Sequence, residues 1–260
     1  MKRIHPSAVV VPGAELADGV EIGPFCLVGA NVRLGDGVVL RSHAVVSGHT
    51  TVGANTQVFP FATVGEPPQD VKYKGEPTRL EIGARNVIRE QVTIHPGTAV
   101  GGGTTLVGDD NLFLVNSHVG HDSRVGSHTI ISNNVMLAGH VTVEDYAYLA
   151  GGCAVQQFVR IGESVMVGGL SGLMQDAAPF TFVNGYPARL VKMNRINLER
   201  RGFTAERIEQ VEKAFRIIFR EGLTAHAAFA KVRAELPGSA EAERMVAFLE
   251  KSESGFVRRR

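Results

Sequence analysis

Residues 113–142 read FLVNSHVGHDSRVGSHTIISNNVMLAGHVT, and this stretch decides the fold. A large apolar residue stands at every sixth position, and a small or β-branched side chain follows four residues after each. The large residues are Phe113, Val119, Val125, Ile131 and Leu137. A six-residue repeat is typical of strands two or three residues long joined by tight turns. Such strands bury their apolar side chains only when the chain coils into a solenoid.

The same register extends over most of the chain. Toward the C-terminus it continues through Leu149, Val155, Ile161 and Val167, and the pattern ends after Gln175. A helix would show apolar spacings of three and four, and hairpin strands would show longer alternation. The sequence therefore predicts an all-β solenoid over residues 1–177. Toward the N-terminus the register occupies Ile4, Val10, Leu16, Ile22, Val28, Leu34, Leu40, Val46, Val52, Val58 and Val64.

Two interruptions of the register predict loops, at residues 66–81 (EPPQDVKYKGEPTRLE) and at residues 100–106 (VGGGTTL). Insertions in a solenoid map to one side, which is often the binding side. Residues 178–203 include Pro179 and Pro187 and are predicted to form a linker. From Thr204, which suits a helix N-cap, the spacing becomes helical. Residues 204–260 are therefore predicted to form a small helical domain that closes on an arginine tail.

Composition argues against several classes of protein. A net charge of +1 gives no reason to expect nucleic-acid binding. No apolar run reaches the roughly 18 residues that a membrane-spanning helix requires, and the N-terminal repeat leaves no room for a secretory signal. Cys26 and Cys153 occupy small positions of the repeat, so we expect free thiols in a reducing compartment. These features predict a soluble cytoplasmic protein.

The period brings several polar residues together. Three six-residue units make one coil of eighteen, so residues eighteen apart stack at roughly the strand spacing of ~4.8 Å. His121, Gly139 and Gln157 then fall in one column, while Asp122 and His140 share the next. His118 precedes His121 by three residues and joins the same edge.

Two chemistries fit this cluster. In the first, His121 is a general base and Asp122 supports the imidazolium. In the second, His118, His121 and His140 bind zinc, which accepts three protein ligands and a water. The amide of Gln157 has no use in the zinc site, and the general base is therefore favoured.

No nucleophile motif accompanies the histidines, because Cys153 has the phase of a core position and no G-x-S-x-G is present. A base without a nucleophile suggests that a substrate hydroxyl or amine attacks an activated acyl group directly. The backbone N–H of Gly139, in the column of His121, is a candidate donor to the developing oxyanion.

Longer motifs carry a resemblance to a known family. GEPPQDVKYKGEPTRLEIG, TIHPGT, NLFLVNSHVGHDSRVG, LAGHVTV, VMVGG and ERRGF, together with the hexapeptide register, resemble the UDP-N-acetylglucosamine 3-O-acyltransferases of lipid A biosynthesis. The resemblance covers almost the whole chain. It implies a left-handed parallel β-helix, a homotrimer with active sites between subunits, and an acyl donor carried as a thioester on acyl carrier protein. It implies no metal and no other cofactor.

The resemblance also implies roles for individual residues. By position, His121 resembles the catalytic base, Asp122 its orienting partner and Gly139 the oxyanion donor. Gly169 falls where the family sets acyl-chain length, and a glycine there implies a long 3-hydroxyacyl chain. The positions that match sugar-nucleotide and phosphate contacts are Asp70, Lys72, His118, His140, Gln157, Asn194, Arg200 and Arg201.

The chain departs from the family at Gln156, where a histidine is usual. An amide cannot be charged, and some relatives acylate a 3-amino sugar nucleotide, so ester and amide products both remain open. The repeat would also suit a trimeric zinc hydratase or a non-catalytic hexapeptide subunit. Acyl carrier proteins are acidic, and a basic docking patch is expected. Its candidates are Arg160, Lys192, Arg195 and the arginines at the C-terminus.

Overall fold

The structure is a computed structural model that describes residues 1–258, so Arg259 and Arg260 of the arginine tail lie outside the described residues. Short strands precede a group of helices. The strands are β1 (Arg3–Ile4), β2 (Val9–Val10), β3 (Glu15–Leu16), β4 (Glu21–Ile22), β5 (Leu27–Val28), β6 (Arg33–Leu34), β7 (Val39–Leu40), β8 (Val45–Val46), β9 (His49–Val52), β10 (Gln57–Val58), β11 (Thr63–Val64), β12 (Arg79–Ile82), β13 (Val87–Ile88), β14 (Thr93–Ile94), β15 (Thr104–Val107), β16 (Leu112–Phe113), β17 (His118–Val119), β18 (Arg124–Val125), β19 (Ile130–Ile131), β20 (Met136–Leu137), β21 (Thr142–Val143), β22 (Tyr148–Leu149), β23 (Ala154–Val155), β24 (Arg160–Ile161), β25 (Met166–Val167), β26 (Gly172–Leu173), β27 (Thr181–Asn184) and β28 (Arg189–Met193). The helices are α1 (Arg195–Arg200), α2 (Ala205–Arg220), α3 (Ala225–Glu235) and α4 (Ala240–Glu250).

The strands form three parallel sheets that wind as a left-handed β-helix, as predicted. Through most of the solenoid each strand pairs with the third strand after it, so every coil has three sides. The second residue of each short strand points inward, and Val46, Phe113 and Leu137 are fully buried there. Cys26 and Cys153 are free and buried, which confirms their assignment as small core residues.

Both predicted loops end earlier than the sequence indicated. Arg79–Ile82 and Thr104–Val107 are four-residue strands that pair with each other, and β9 pairs with the first of them. The physical reason is a two-residue alternation within these segments, in which Leu80 and Thr105 are buried between exposed or half-buried neighbours. Arg79 and Glu81 are charged, and an alternation of two does not match the six-residue repeat, so the repeat did not indicate these strands.

The predicted linker is also structured. Thr181–Asn184 pairs in parallel with β25 and antiparallel with Arg189–Met193, so a hairpin continues the first sheet. Helix α1 follows it directly. Pro179 and Pro187 lie outside these strands, where the missing N–H costs no ladder hydrogen bond. The two prolines suggested a linker, but they flank the hairpin strands instead.

Helices α2, α3 and α4 lie within residues 204–260, and α1 precedes them. The hydroxyl of Thr204 accepts a hydrogen bond from the Arg207 N–H and caps α2, and Gly222 adopts a left-handed φ of 69° just beyond its end. Arg160 joins this region to the solenoid, because its guanidinium donates to the Phe248 carbonyl at 3.0 Å and lies 4.0 Å from the Phe248 ring centroid. None of the helices within residues 1–258 has the length and apolarity needed to cross a membrane.

Candidate active site

The predicted catalytic residues lie at one corner of the solenoid. Both loops leave the β-helix here, between β11 and β12 and between β14 and β15. In the following coils the same corner carries His121 and Asp122, then Gly139 and His140. The His140 N–H donates to the His121 carbonyl at 2.8 Å, which confirms that residues nineteen apart become neighbours.

The side chains of His121 and Asp122 are joined by a hydrogen bond. The His121 Nδ1 lies 2.8 Å from Oδ2 of Asp122, and the His121 side chain is 10% exposed. Because a carboxylate accepts, Nδ1 carries the hydrogen and Nε2 keeps a lone pair. The Asp70 carboxylate is 4.0 Å from Nε2. His121 therefore offers a basic nitrogen on the side away from Asp122.

The carboxylate of Asp122 is fully buried and held by the second loop. The Thr98 N–H lies 2.9 Å from Oδ1 and 3.1 Å from Oδ2, and the Thr98 hydroxyl donates to Oδ2 at 2.7 Å. A Cβ at Gly101 would collide with this carboxylate, so glycine lets the loop backbone approach. The glycine-rich loop therefore has a defined role, which is to fix the orientation of Asp122.

The corner backbone is left-handed in three consecutive coils. Asp122, His140 and Phe158 have φ values of 59°, 62° and 67°. Their side chains stack along the solenoid, with His140 edge-on to His121 at 5.1 Å between ring centroids and stacked on Phe158 at 4.6 Å. His140 is thus held between the pair and an exposed aromatic ring.

Gly139 lies against the ring of His121. A Cβ built on Gly139 would be 2.5 Å from Cε1 and 2.6 Å from Nε2 of that imidazole. Its N–H donates no backbone hydrogen bond within residues 1–258. Glycine at this position leaves room for the ring and keeps an N–H beside it.

Substituting Gly139→Ala is expected to displace the His121 imidazole, because the new methyl group would occupy space that the ring fills. We expect a loss in kcat of about 10²-fold or more, since small displacements of a reacting group are costly. Steady-state kinetics would measure it, with Gly151→Ala as the control because a Cβ there meets only the Asn133 carbonyl, at 3.4 Å. A Gly139→Ala enzyme with normal kcat would contradict this packing argument.

The imidazole of His118 is partly buried beside His95. Its Nδ1 lies 2.8 Å from the Thr93 hydroxyl, and its ring is 5.3 Å from that of His95. Burial, together with the nearby His95 and His121, lowers the pKa of His118 from 6.5 to about 4. His118 is therefore neutral at physiological pH and suits hydrogen bonding rather than charge pairing.

The pKa of His118 predicts an effect on stability. Between about pH 6.5 and pH 4 the unfolded chain binds a proton at this residue that the folded chain does not. Acidification through that window should therefore destabilise the wild-type protein more than a His118→Gln variant. Urea unfolding near pH 7 and near pH 5 would measure the difference, with His5→Gln as a surface control. Parallel losses of stability in wild type and His118→Gln would contradict the shift.

The remaining predicted residues lie in different places. Asp70, in the first loop, faces His121, and Lys72 is exposed with its N–H donating to Oδ1 of Asp70 at 2.9 Å. Gln157 is exposed on the same corner. Gly169 is exposed, and a Cβ there would meet only the Gly151 carbonyl at 3.5 Å.

Asn194, Arg200 and Arg201 lie at the junction with the helices. Asn194 donates to the Ser164 carbonyl at 2.8 Å. Arg201 is bound within the chain, by an ion pair of 2.6 Å with Glu163 and by its guanidinium 3.7 Å from the Tyr146 ring centroid. Arg200 is exposed and has no ion pair within residues 1–258. Of the two arginines, Arg200 is therefore the one available to a ligand in a single chain.

A groove of about 630 Å³ begins beside His118 and Thr93. Its other end is lined by Tyr186, whose ring covers Gly172. Gln156, the departure from the family pattern, lines the same groove. The apolar residues of the groove are Met136, Ala138, Ala154, Val155, Leu173 and Met174.

The arrangement does not form the three-histidine zinc site. Within residues 1–258, the group that could hold a metal is His121, Asp122 and His140, whose candidate ligand atoms lie within 4.8 Å of one another. His118 is outside it, and Asp122 already accepts from Thr98 and His121. The donor set therefore suits a hydrogen-bonded base better than a metal.

Comparison with known families agrees with this geometry. A model of six bacterial transferase hexapeptide repeats matches residues 13–48. A second model, described as domain 2 of UDP N-acetylglucosamine O-acyltransferase, matches residues 176–257. Together with the solenoid and the histidine site, these matches define an acyltransferase of the hexapeptide-repeat class.

Full-length relatives specify the family. An acyl-[acyl-carrier-protein]–UDP-N-acetylglucosamine O-acyltransferase from Burkholderia orbicola is 49% identical over 99% of this chain and 100% of its own, and one from Thiobacillus denitrificans is 48% identical at the same coverage. The chain belongs to this family. A UDP-N-acetylglucosamine O-acyltransferase structure from Moraxella catarrhalis superposes with a TM-score of 0.96 at 38% identity, covering 98% of this chain and 99% of the other.

Sequence reasoning missed two residues of the site. Thr98, which holds Asp122, lies just before the start of the predicted loop 100–106 and carries no periodic signal. His95 is buried beside His118 and was not separated from the core pattern. Both belong to the TIHPGT motif, and that motif is the signal that could have pointed to them.

Proposed function

We propose that this enzyme transfers a 3-hydroxyacyl chain from acyl carrier protein to the 3-position of UDP-N-acetylglucosamine, the first step of lipid A biosynthesis. The observation that carries the proposal is the His121–Asp122 pair, whose free Nε2 lies beside Gly139 in a chain 49% identical to an enzyme of that name. A non-catalytic role would leave such a pair without a purpose.

The proposed reaction is one direct displacement. The 3-hydroxyl of the sugar attacks the thioester carbonyl, its proton passes to His121 Nε2, and Asp122 stabilises the imidazolium through Nδ1–H. A C–O bond forms, the C–S bond breaks, and the proton passes from His121 to the departing thiolate. The free N–H of Gly139 donates to the oxyanion. The thioester supplies the activation, so the reaction requires no cofactor.

The sugar nucleotide is proposed to bind across the corner. Asp70 and Lys72 of the first loop, with His118, His140 and Gln157, would surround the sugar. Asn194, Arg200 and Arg201 would contact the nucleotide and its phosphates, and the exposed Arg200 is the strongest of these candidates. Arg201 would contribute mainly by holding its segment against Glu163.

The acyl chain is proposed to lie in the groove that runs from His118 to Tyr186. Its lining is largely apolar, as a fatty acyl chain requires. Gly169 leaves the adjacent corner open, which supports a long chain. Gln156, the departure from the family pattern, also lines this groove. It is the reason for a second candidate reaction, in which a 3-amino sugar nucleotide is acylated to an amide.

An assay of the purified enzyme with 3-hydroxyacyl carrier protein would test both reactions. UDP-N-acetylglucosamine and its 3-amino analogue would be offered separately, and product masses would be measured. Product from the hydroxyl sugar supports the ester-forming reaction. Product from the amino sugar alone would replace the ester with an amide, and product from neither would overturn the proposed function.

The working enzyme is proposed to be a homotrimer in the cytoplasm, where UDP-sugars and acyl carrier protein occur. Met136, Phe158 and Leu170 expose 53%, 59% and 79% of their surface, which is much apolar area for a single chain. Light scattering should give three times the 27.9 kDa of one chain.

A second groove is the proposed docking surface for acyl carrier protein. Lys192, Arg195, Arg216 and Arg220 line it together with one acidic residue, Glu212, and the exposed Ile196 contributes apolar surface. Among the sequence candidates, Arg160 is left out of this surface, because its guanidinium packs against Phe248 and pairs with Asp176. Arg258 covers the Phe256 ring, and Arg259 and Arg260 lie outside the described residues.

Reversing charge in this groove is expected to weaken donor binding. The double variant Lys192→Glu and Arg216→Glu should raise KM for the acyl carrier protein about tenfold or more, and leave KM for the UDP-sugar unchanged. The control is Lys2→Glu with Arg41→Glu, which makes the same change in net charge at the far end of the solenoid. Equal effects of the two double variants would contradict a specific surface.

A further inference from the structure

The first loop is attached to the solenoid by very few polar contacts. Between Gly65 and Arg79, most hydrogen bonds join loop residues to one another, for example Lys72 N–H to Asp70 and the Tyr73 hydroxyl to the Glu76 carbonyl. Within residues 1–258, one hydrogen bond joins a residue outside the loop to residues 66–78, and it is made at Glu66, where the loop begins. It runs from Nδ1 of His95 to the Glu66 carbonyl, at 2.9 Å.

His95 is well placed to fix that bond. Its side chain belongs to a residue only 5% exposed, and it follows β14 where the second loop leaves the solenoid. A carbonyl can only accept, so Nδ1 carries the hydrogen. Nε2 is buried and has no hydrogen-bond partner within the described part of the chain. The Nδ1 donor is thus the one polar interaction that its ring makes.

The position of the loop matters to the site because it carries Asp70 to within 4.0 Å of His121 Nε2. The loop begins four residues before Asp70, at the residue whose carbonyl His95 binds. Loss of that bond would free the loop where it enters the site. Asp70 and Lys72 would then sample positions away from His121.

We propose that His95 is a positioning residue that fixes the first loop for binding of the sugar nucleotide, through a single hydrogen bond to the Glu66 carbonyl. The inference rests on the proposed function, because it assigns Asp70 and Lys72 to that substrate. His95 acts on the substrate through the loop and need not touch it.

Two substitutions of His95 distinguish the effect of the hydrogen bond from the effect of the imidazole ring. Asparagine places an amide N–H where Nδ1 stands, so His95→Asn keeps the donor and loses the ring. Leucine has a similar shape and no donor, so His95→Leu loses both. Thermal melting would first show that each variant is folded, and the comparison between them then isolates the bond.

Hydrogen–deuterium exchange of the unliganded enzyme would measure the loop directly. We expect faster exchange of peptides within residues 66–78 in His95→Leu but not in His95→Asn, while peptides from β20 to β23 stay unchanged in both. We also expect KM for UDP-N-acetylglucosamine to rise about tenfold in His95→Leu, the usual worth of one hydrogen bond, with kcat less affected. His95→Asn should stay close to the wild type.

Equal impairment of both variants would overturn the proposal, because the ring and not the bond would then matter. Unchanged loop exchange in His95→Leu would overturn it as well, and so would faster exchange with unchanged KM. A wild-type enzyme that acylates neither sugar would be a failure of the proposed function instead. The exchange experiment needs no substrate and would still decide whether the bond fixes the loop.

Discussion

Replacing His121 by alanine is expected to lower kcat by about 10²–10⁴-fold, the usual contribution of a general base. The Nε2 of this imidazole lies beside Gly139 and 4.0 Å from the Asp70 carboxylate, and alanine leaves no group there to accept the proton of the attacking hydroxyl. The KM values should change much less than kcat, because the ring acts mainly in the transition state. Steady-state kinetics with both substrates would measure the loss.

His43→Ala is the matched control for this prediction. His43 lies on another corner of the solenoid, where it stacks between Phe25 and Phe61. Its substitution removes an imidazole from the same repeat architecture and should leave kcat unchanged. An active His121→Ala enzyme would eliminate His121 as the base, and an equal loss in His43→Ala would point to general damage to the solenoid.

Asp122→Asn is expected to lower kcat by about 10³–10⁴-fold, comparable to the loss when a carboxylate that orients a catalytic imidazole becomes an amide. Oδ2 of Asp122 accepts from His121 and from the Thr98 hydroxyl, while the Thr98 N–H points between the two oxygens. An amide has only one oxygen. If its NH₂ replaces Oδ2 it opposes His121 Nδ1–H, and if it replaces Oδ1 it opposes the Thr98 N–H.

Either orientation damages the base. In the first, His121 must shift its hydrogen to Nε2, which then cannot accept a proton from the sugar. In the second, a buried donor faces another donor and the second loop is pushed away. Asp110→Asn is the control, because Asp110 is also a left-handed corner aspartate, with φ of 58°, and pairs with exposed Arg85. Near-normal kcat in Asp122→Asn would contradict the orienting role.

The sequence by itself determined the solenoid and most of its site. The period of six fixes which residues point inward, and three units per coil place residues eighteen apart on neighbouring strands. From this alone His121, Gly139 and His140 could be brought together, and the structure confirms that they are adjacent. A periodic fold converts sequence spacing into distance, and few other folds do so.

Only the tertiary structure decided the contacts made by segments that lack the six-residue repeat. The two loops and the hairpin of residues 181–193 have no register, so neither Thr98 beneath Asp122 nor His95 against Glu66 could be placed. The tertiary structure also gave residues of the same type different environments. His118 is held neutral, while His121 pairs with a carboxylate. Arg201 is bound to Glu163, while Arg200 is exposed. The first difference depends on the side chains packed around each imidazole, and the second on how α1 lies against the solenoid, and the spacing of the repeat specifies neither.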